Sequence, residues 1–222
     1  MKNSSLILIS LIILLSQTSC ERKKDSKINF KDFNISLSKD EEPPLIFELK
    51  SENETQYFVE NQPKKWNGLT KESEATIRVY DWKLFPHNNL EFEYPRTYSF
   101  EADLSITNDI WTLSGNDFKI MVIRPIVEMK LEEYVDEMIS QFGKSNCSTK
   151  KITKKINSSE LNGIKLSVTL AGIDLELDVL EVMDKSGKKS LLVFQDSLTD
   201  SKENSKESKS TMERMKQTFK IN

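Results

Sequence analysis

The sequence predicts an α+β domain, in which an antiparallel sheet packs with two long helices, preceded by a short β-rich extension. Apolar residues alternate with polar ones in several short runs, which is typical of strands with one solvent-facing side. Two further stretches carry apolar residues at helical spacing. The elements follow one another as three strands, a helix, three strands and a helix, an order that packs most simply as helices on an antiparallel sheet.

The first twenty residues have the pattern of a secretion signal. Lys2 precedes an apolar run over residues 6–15, which is about 15 Å long as a helix and too short for a hydrocarbon core of about 30 Å. A positive start, a short apolar run and then small or polar residues are typical of a secretory signal peptide. Thr18 and Ser19 directly precede Cys20, and Gln17 stands three residues before that cysteine.

This ending resembles the lipobox of bacterial lipoproteins, with Gln17 where that box usually has leucine. The resemblance implies that the Cys20 thiol takes a diacylglyceryl group, that the chain is cut just before it, and that the new amino terminus is acylated. An ordinary secreted protein with an incidental cysteine is the alternative. Several acyl chains make a stable anchor, so the membrane is an expected partner. In some bacterial lipoproteins an acidic run just after the cysteine sends the protein to the cell exterior. Here only Glu21 and Asp25 are acidic, among four basic residues, so the resemblance implies an outer-membrane protein that faces the periplasm.

The sequence divides into four segments by pattern and composition. We predict a signal peptide over residues 1–19, a lipidated tether over 20–27, a β-rich extension over 28–88 and the α+β domain over 89–222. The basic residues Arg22, Lys23 and Lys24 are interpreted as spacer, with contact to anionic lipid as the alternative. Trp66 is expected to be buried against the sheet, with an exposed aromatic contact as the alternative.

The first half of the domain contains strands and the clearest helix. Leu90, Phe92 and Tyr94 alternate with glutamates, and a hairpin is expected with its turn at Gly115 and Asn116. A helix follows, which Gly143 ends. Its apolar stripe consists of Leu131, Tyr134, Val135, Met138, Ile139 and Phe142.

The second half is predicted to form strands and a final helix. Apolar residues alternate from Ile164 to Leu170, and their phase changes between Val179 and Leu180, which predicts a β-bulge or a bend. The last helix is expected to begin near Asn204. Its cap is completed by Glu207, and one side carries Met212, Met215 and Phe219.

The strings "LEFEYPRTYSFEADLSI", "FKIMVIRPIVEMKLEEYVDEMISQF" and "MERMKQTFKI" resemble the PsbP-like superfamily. The resemblance covers about residues 90–221. It implies a PsbP-like sandwich that serves as an accessory or assembly factor, binds another protein and has no enzymatic activity.

Charge and cysteine content argue against two properties, general nucleic-acid binding and an intrachain disulfide in the lipidated protein. The formal net charge is −3, and removal of Lys2 with the signal peptide makes it −4, which argues against a general nucleic-acid binder. Of two cysteines, lipidation of Cys20 leaves Cys147 without a disulfide partner. We interpret Cys147 as a tolerated residue in a polar turn, with a reactive thiol as the alternative.

Residues capable of catalysis or metal binding are few, and we predict no metal, no cofactor and no catalytic site. The single histidine, His87, lies in "FPHNN" and is expected to be a solvated turn residue. Asp174, Glu176 and Asp178 share one strand face about 6.8 Å apart, too far for a calcium cage without other ligands. They are expected to pair across strands with a lysine group. That group is Lys150, Lys151, Lys154 and Lys155.

The string "DSL" at residues 196–198 resembles a short O-glycosylation acceptor of exported bacterial proteins, which implies a glycan on Ser197. The alternative is that Ser197 only begins the loop into the last helix.

We therefore predict a non-enzymatic, lipid-anchored envelope protein that binds a protein partner or assists assembly. One alternative is a hydrolase of unknown substrate that uses Glu91, Glu93 and His87. Another is an immunity-type protein that binds a toxin, which shares every sequence feature of the first reading.

Overall fold

The computed structural model describes residues 37–51, 54–63, 74–127 and 129–222. The predicted signal peptide, Cys20, the tether and Trp66 lie outside these described residues. The strands are β1 (Ile46–Ser51), β2 (Thr55–Val59), β3 (Ala75–Val79), β4 (Trp82–Phe85), β5 (Leu90–Pro95), β6 (Ser99–Leu104), β7 (Asn108–Ser114), β8 (Phe118–Pro125), β9 (Cys147–Ile156), β10 (Ser159–Leu170), β11 (Ile173–Met183), β12 (Lys189–Ser197) and β13 (Lys220–Ile221). The helices are α1 (Leu131–Phe142) and α2 (Lys206–Thr218).

The prediction of an α+β sandwich with two long helices is wrong, because the fold is mostly antiparallel β-sheet. Strands hold 53% of the described residues and helices 16%, including a short 3₁₀ helix at Lys144–Asn146. The helices are short, with 12 and 13 residues. The excess of strand comes from β9, β10 and β11, which have ten to twelve residues each. In β9 the sequence is mainly Lys, Ser and Thr, so backbone pairing with β10 forms a strand that apolar alternation does not reveal.

The central sheet has seven antiparallel strands in the order β6-β7-β8-β12-β11-β10-β9. Two three-stranded sheets accompany it, with the orders β2-β1-β3 and β13-β5-β4. The sequence-predicted boundary near residue 88 falls between β4 and β5, which pair with each other from Trp82↔Pro95 to Phe85↔Phe92.

Each face of the central sheet supports its own hydrophobic core. The α1-side core lies under α1 and is aliphatic, with Val135 of the helix against Leu166 and Val179 of the sheet. The predicted stripe of this helix is confirmed, and Gly143 ends the helix at φ 87°. The α2-side core lies under α2 and β5 and is largely aromatic. It includes Phe85, Phe92, Tyr94, Trp111, Phe118, Phe194 and Phe219.

The apolar phase change in β11 is a consequence of these two cores. Leu177 and Val179 point into the α1-side core, whereas Leu180 and Val182 point into the α2-side core. Pairing with β12 runs without interruption from Leu175↔Ser197 to Met183↔Lys189. The predicted β-bulge is therefore wrong. Side chains of β11 alternate regularly between the two faces of the sheet. The α1-side core covers one face in the first part of the strand, and the α2-side core covers the other face in the last part.

The start of α2 differs from the prediction by one residue. Ser205 is the N-cap, and its side chain accepts from the backbone N–H of Ser208. Asn204 instead donates to Asp196 at 2.6 Å. Glu207 accepts from the N–H groups of Asp117 at 2.7 Å and Phe118 at 3.0 Å, so it closes the β7–β8 turn rather than its own helix cap.

Candidate functional site

His87 is buried, so the prediction of a solvated turn residue is wrong. It is 6% exposed, and its ring stacks on Trp111 with ring centroids 5.6 Å apart and planes 8° apart. Asn88 and Asn89 follow with φ of 56° and 58°, and these two left-handed residues reverse the chain. Burial lowers the pKa of His87, although a hydrogen bond that the ring donates to the backbone of Glu41 and the charge of Glu41 oppose this. The ring is therefore neutral near pH 7.

Glu93 forms a buried ion pair that the sequence did not predict. Its carboxylate, 1% exposed, accepts from Nε of Arg214, and the same guanidinium donates to the hydroxyl of Tyr80. The backbone N–H of Glu93 also donates to Thr218 at 3.1 Å. These contacts hold α2 against β5. The sequence shows a glutamate on a strand and an arginine in the final helix, but it does not show that the two are neighbours. Their pairing becomes evident only when β5 and α2 are packed together.

Glu91 lies on the same side of β5 as Glu93 but has different partners. It accepts from the Asn222 side chain at 2.7 Å and lies 3.5 Å from Nζ of Lys220. Leu90, Phe92 and Tyr94, which alternate with the two glutamates, point into the α2-side core, and the His87 ring stacks there on Trp111. The structure thus directs the histidine and the two glutamates to opposite sides of β5 and does not bring them together.

The acidic residues of β11 pair across strands, as expected, but mainly with a different lysine. Lys165 lies 2.5 Å from Glu176 and 3.7 Å from Asp178. Of the four predicted lysines, Lys154 reaches Asp178 at 2.6 Å. Asp174 accepts from Thr169 at 2.6 Å, a hydrogen bond that lowers its pKa, and Lys202 lies 3.5 Å away. Among the described residues no group of three or more potential metal ligands occurs.

The two remaining predicted sites lie in different places. Cys147 begins β9 and is half-buried beside the α1-side core. Ser197 ends β12 and is half-buried, and its N–H donates to the carbonyl of Asp117 at 2.8 Å. Asp196, which precedes Ser197 in the predicted acceptor, is 3% exposed and accepts from Asn204, so its carboxylate serves the entry to α2. Glycosylation of Ser197 stays a prediction.

The central sheet ends in two strands of opposite charge. β6 forms one edge and carries Glu101 and Asp103, whereas β9 forms the other and carries the four lysines. β9 pairs only with β10, from Ser159↔Ile156 to Val168↔Cys147. Its other side, about 33 Å long at 3.3 Å per residue, therefore presents backbone N–H and C=O groups without a neighbouring strand among the described residues.

Three of the four β9 lysines have no ion-pair partner in the described part of the chain. They are Lys150, Lys151 and Lys155, and all three are exposed. Lys154 alone is engaged, with Asp178, and its Nζ lies 5.0 Å from the ring centre of Phe194. The sequence signal for this edge is the string "TKKITKKI" at residues 149–156, which contains the four lysines expected to pair with the acidic residues of β11.

A groove lies beside this edge on the α1 face. It has a volume of about 360 Å³, and β9, β10 and the start of α1 contribute its walls. Its lining residues are Leu131, Glu132, Lys151, Ile152, Thr153, Asn162, Gly163 and Ile164. Gly163 permits the close approach of β10 and β11 beneath it, because a Cβ there would lie 2.2 Å from the carbonyl oxygen of Val179. An open strand edge beside a groove provides backbone pairing and a place for a side chain of an added strand.

Comparison with known proteins finds no matching family model and no curated protein with detectable sequence similarity. None of the described helices has the length and apolar character needed to cross a membrane.

Proposed function

We propose that this chain is a non-enzymatic protein of the bacterial cell envelope, anchored by lipid at Cys20 in the outer membrane and facing the periplasm. In this proposal it binds a protein partner as an accessory or assembly module. The partner contributes an extended, acidic segment that adds as a strand to the open edge of β9.

The observation that carries the proposal is the edge of β9 with its three unpaired lysines. An added strand would satisfy the outward N–H and C=O groups of β9, and main-chain pairing of this kind supplies affinity. Lysines on an edge oppose pairing with neutral or basic strands, since such a partner would leave them without a counter-charge. Acidic side chains remove that cost. The lysines thus select the partner by charge, and the adjacent groove selects by shape.

The experiment is site-specific photocrosslinking of the full chain in its own envelope. A photoreactive amino acid replaces Thr149, which is exposed on β9, and in a matched strain it replaces Glu101, which is exposed on β6. We expect one adduct from position 149 and none of the same mass from position 101. The crosslinked peptide of the partner, read by mass spectrometry, is expected to be rich in Asp and Glu.

Charge-reversal variants test whether the β9 lysines are needed for the crosslink. Lys150→Glu with Lys151→Glu should abolish the adduct at position 149, because two repulsive charges then face an acidic strand. Glu101→Lys with Asp103→Lys is the matched control and should leave the adduct intact. Equal adducts at both edges, or an adduct that survives the lysine reversal, would contradict the proposal.

A further inference from the structure

Four large apolar side chains are exposed at one end of the central sheet. They lie at the end of β6, in the β6–β7 turn and just after β8. A hydrogen bond from the N–H of Ile126 to the carbonyl of Thr107 at 2.8 Å joins the turn to the segment after β8. We call this group the apolar end. It consists of Leu104, Ile106, Ile126 and Val127, which are 41%, 92%, 53% and 66% exposed.

A cationic cavity lies next to the apolar end. It has a volume of about 370 Å³ and lies between the segment after β8 and the β11–β12 turn. Its described lining residues include Arg124, Lys188 and Lys189 and no acidic residue, over an apolar wall that contains Ile126 and Met129. Lys188 is exposed and forms no ion pair within the described residues, whereas Lys189 pairs with Glu181 at 3.3 Å. Arg124 lies 3.9 Å from Asp109, whose carboxylate Lys39 holds more closely at 2.8 Å.

The described chain also begins at this end of the sheet. Lys39 contacts Asp109 through its ammonium, and its carbonyl accepts from the indole N–H of Trp111 at 2.7 Å. Asp109 pairs with Arg124 in the β7–β8 register and lies three residues after Ile106. The 17 residues from Cys20 to Leu37 reach at most about 60 Å when fully extended. An anchor at Cys20 would therefore hold the start of the described chain, and with it this end of the sheet, within about 60 Å of the membrane.

From these three observations we propose that the apolar end docks on an anionic phospholipid surface. Ile106, Ile126 and Val127 enter the boundary between head groups and acyl chains, and the cationic cavity receives a lipid phosphate. Exposed apolar side chains beside cationic groups are the composition that such an interface binds. The docking involves a surface other than β9, and it relies on the proposed anchor only for the reach of the tether.

The other end of the sheet provides an internal control. Leu170 and Ile173 flank the β10–β11 turn there and are 44% and 57% exposed. They lie beside Asp174 rather than beside a cationic cavity. Apolar residues are thus exposed at both ends of the sheet. The cationic cavity and the start of the described chain lie at the apolar end.

The test measures which end enters the membrane. The full chain is isolated from its own envelope with Cys147→Ser, so that Cys20 keeps its modification, and a nitrobenzoxadiazole label is attached at Ile106→Cys or, as the matched control, at Ile173→Cys. The parent without an introduced cysteine reports any labelling at Cys20. Vesicles contain phosphatidylethanolamine with phosphatidylglycerol, or phosphatidylcholine alone.

On phosphatidylglycerol vesicles we expect the emission at position 106 to rise several-fold and to be quenched by brominated acyl chains, while position 173 keeps its aqueous emission. Equal emission at the two positions on vesicle-bound protein would overturn the docking. If the isolated chain carries no acyl group, the same response at position 106 is expected when excess vesicles are titrated in, and a flat titration overturns the docking while leaving the β9 crosslink as a separate test of the proposed function.

Charge variants separate lipid from other occupants. In the chain with Cys20→Ser, Lys188→Gln should weaken binding to phosphatidylglycerol vesicles about five-fold, since each lysine near an anionic surface contributes about 1 kcal/mol. Lys206→Gln, at the start of α2, is the matched control and should leave binding unchanged. Equal effects of the two substitutions, or a label at position 106 that is shielded by a second copy or by a protein instead of by lipid, would refute the proposal.

Discussion

The two cores of this protein hold their helices by different means. Among the described residues α1 buries Val135 and Met138 and no polar residue, so apolar contact is its main attachment to the sheet there. α2 buries Ser208 and Thr211 beside its methionines, and it is tied by directional polar contacts as well. Those contacts are Arg214 with Glu93, Thr218 with the backbone of Glu93, Thr211 with Tyr98, and Ser205 with Asp196.

The two helices should therefore tolerate different kinds of substitution. Apolar burial is non-directional, so α1 should accept substitutions that conserve volume. Buried hydrogen bonds and ion pairs fix one geometry, and loss of one partner leaves the other unsatisfied. α2 should therefore be sensitive to single polar substitutions that barely alter volume.

The largest expected effect comes from breaking the buried ion pair. Arg214→Leu leaves the carboxylate of Glu93 buried without this guanidinium and should lower the free energy of unfolding by about 4 kcal/mol. Chemical denaturation followed by circular dichroism measures this change. Glu93→Leu with Arg214→Leu should be more stable than Arg214→Leu alone, and a double variant as unstable as the single one would contradict this account.

A volume loss in the α1-side core should have the next largest effect. Leu177 is 0% exposed, and Leu177→Ala should lower the free energy of unfolding by about 3 kcal/mol, because the methyl groups are lost and a cavity remains. Leu177→Met should cost less than half as much. The exposed Ile173→Ala is the control and should change little. A loss for Leu177→Met equal to that for Leu177→Ala would show that α1 also depends on specific geometry.

A smaller effect is expected for the hydrogen bond between Tyr98 and Thr211. The two hydroxyl oxygens lie 3.0 Å apart in a buried position, and Tyr98→Phe should lower the free energy of unfolding by about 1 kcal/mol. Thr211→Val with Tyr98→Phe completes a double-mutant cycle. A coupling free energy near zero would mean that this contact does not help to orient α2.

The smallest expected effect is a pH dependence of stability in the α2-side core. Burial lowers the pKa of His87 in the folded state below its ordinary value of 6.5, so the unfolded chain takes up a proton first as the pH falls. The contribution of neutral, buried His87 to the free energy of unfolding is fully present above about pH 6.5 and is lost progressively as the pH falls below that value. Thermal melts between pH 8 and pH 5 measure this.

His87→Phe is the control for that dependence, because the chain has one histidine and the phenyl ring preserves stacking on Trp111. The slope of stability against pH between 7 and 6 should flatten in this variant. An unchanged slope would assign the dependence to carboxylates instead.

Periodic apolar patterns explain what could be predicted from the sequence. The apolar spacing from Leu131 to Phe142 places those residues on one face only if the segment is a helix. The hairpin around Gly115 follows from the residues of its turn. The length of β9 and the burial of His87 were not predictable in this way. The lysine-rich β9 depends on pairing with β10, and the His87 ring depends on Trp111, which lies 24 residues further along the chain.

Apolar periodicity predicts those strands and helices whose own residues carry the pattern, and the composition fixes the overall charge. Lipidation of Cys20 stays a prediction. The side of the sheet on which each polar residue lies depends on the tertiary structure. The tertiary structure placed Glu93 against Arg214, turned His87 inward, left the lysines of β9 on an open edge and gathered Leu104, Ile106, Ile126 and Val127 at the end where the described chain begins. The physical reason is that strand order and layer packing bring together residues far apart in the chain, and no local pattern records those pairings.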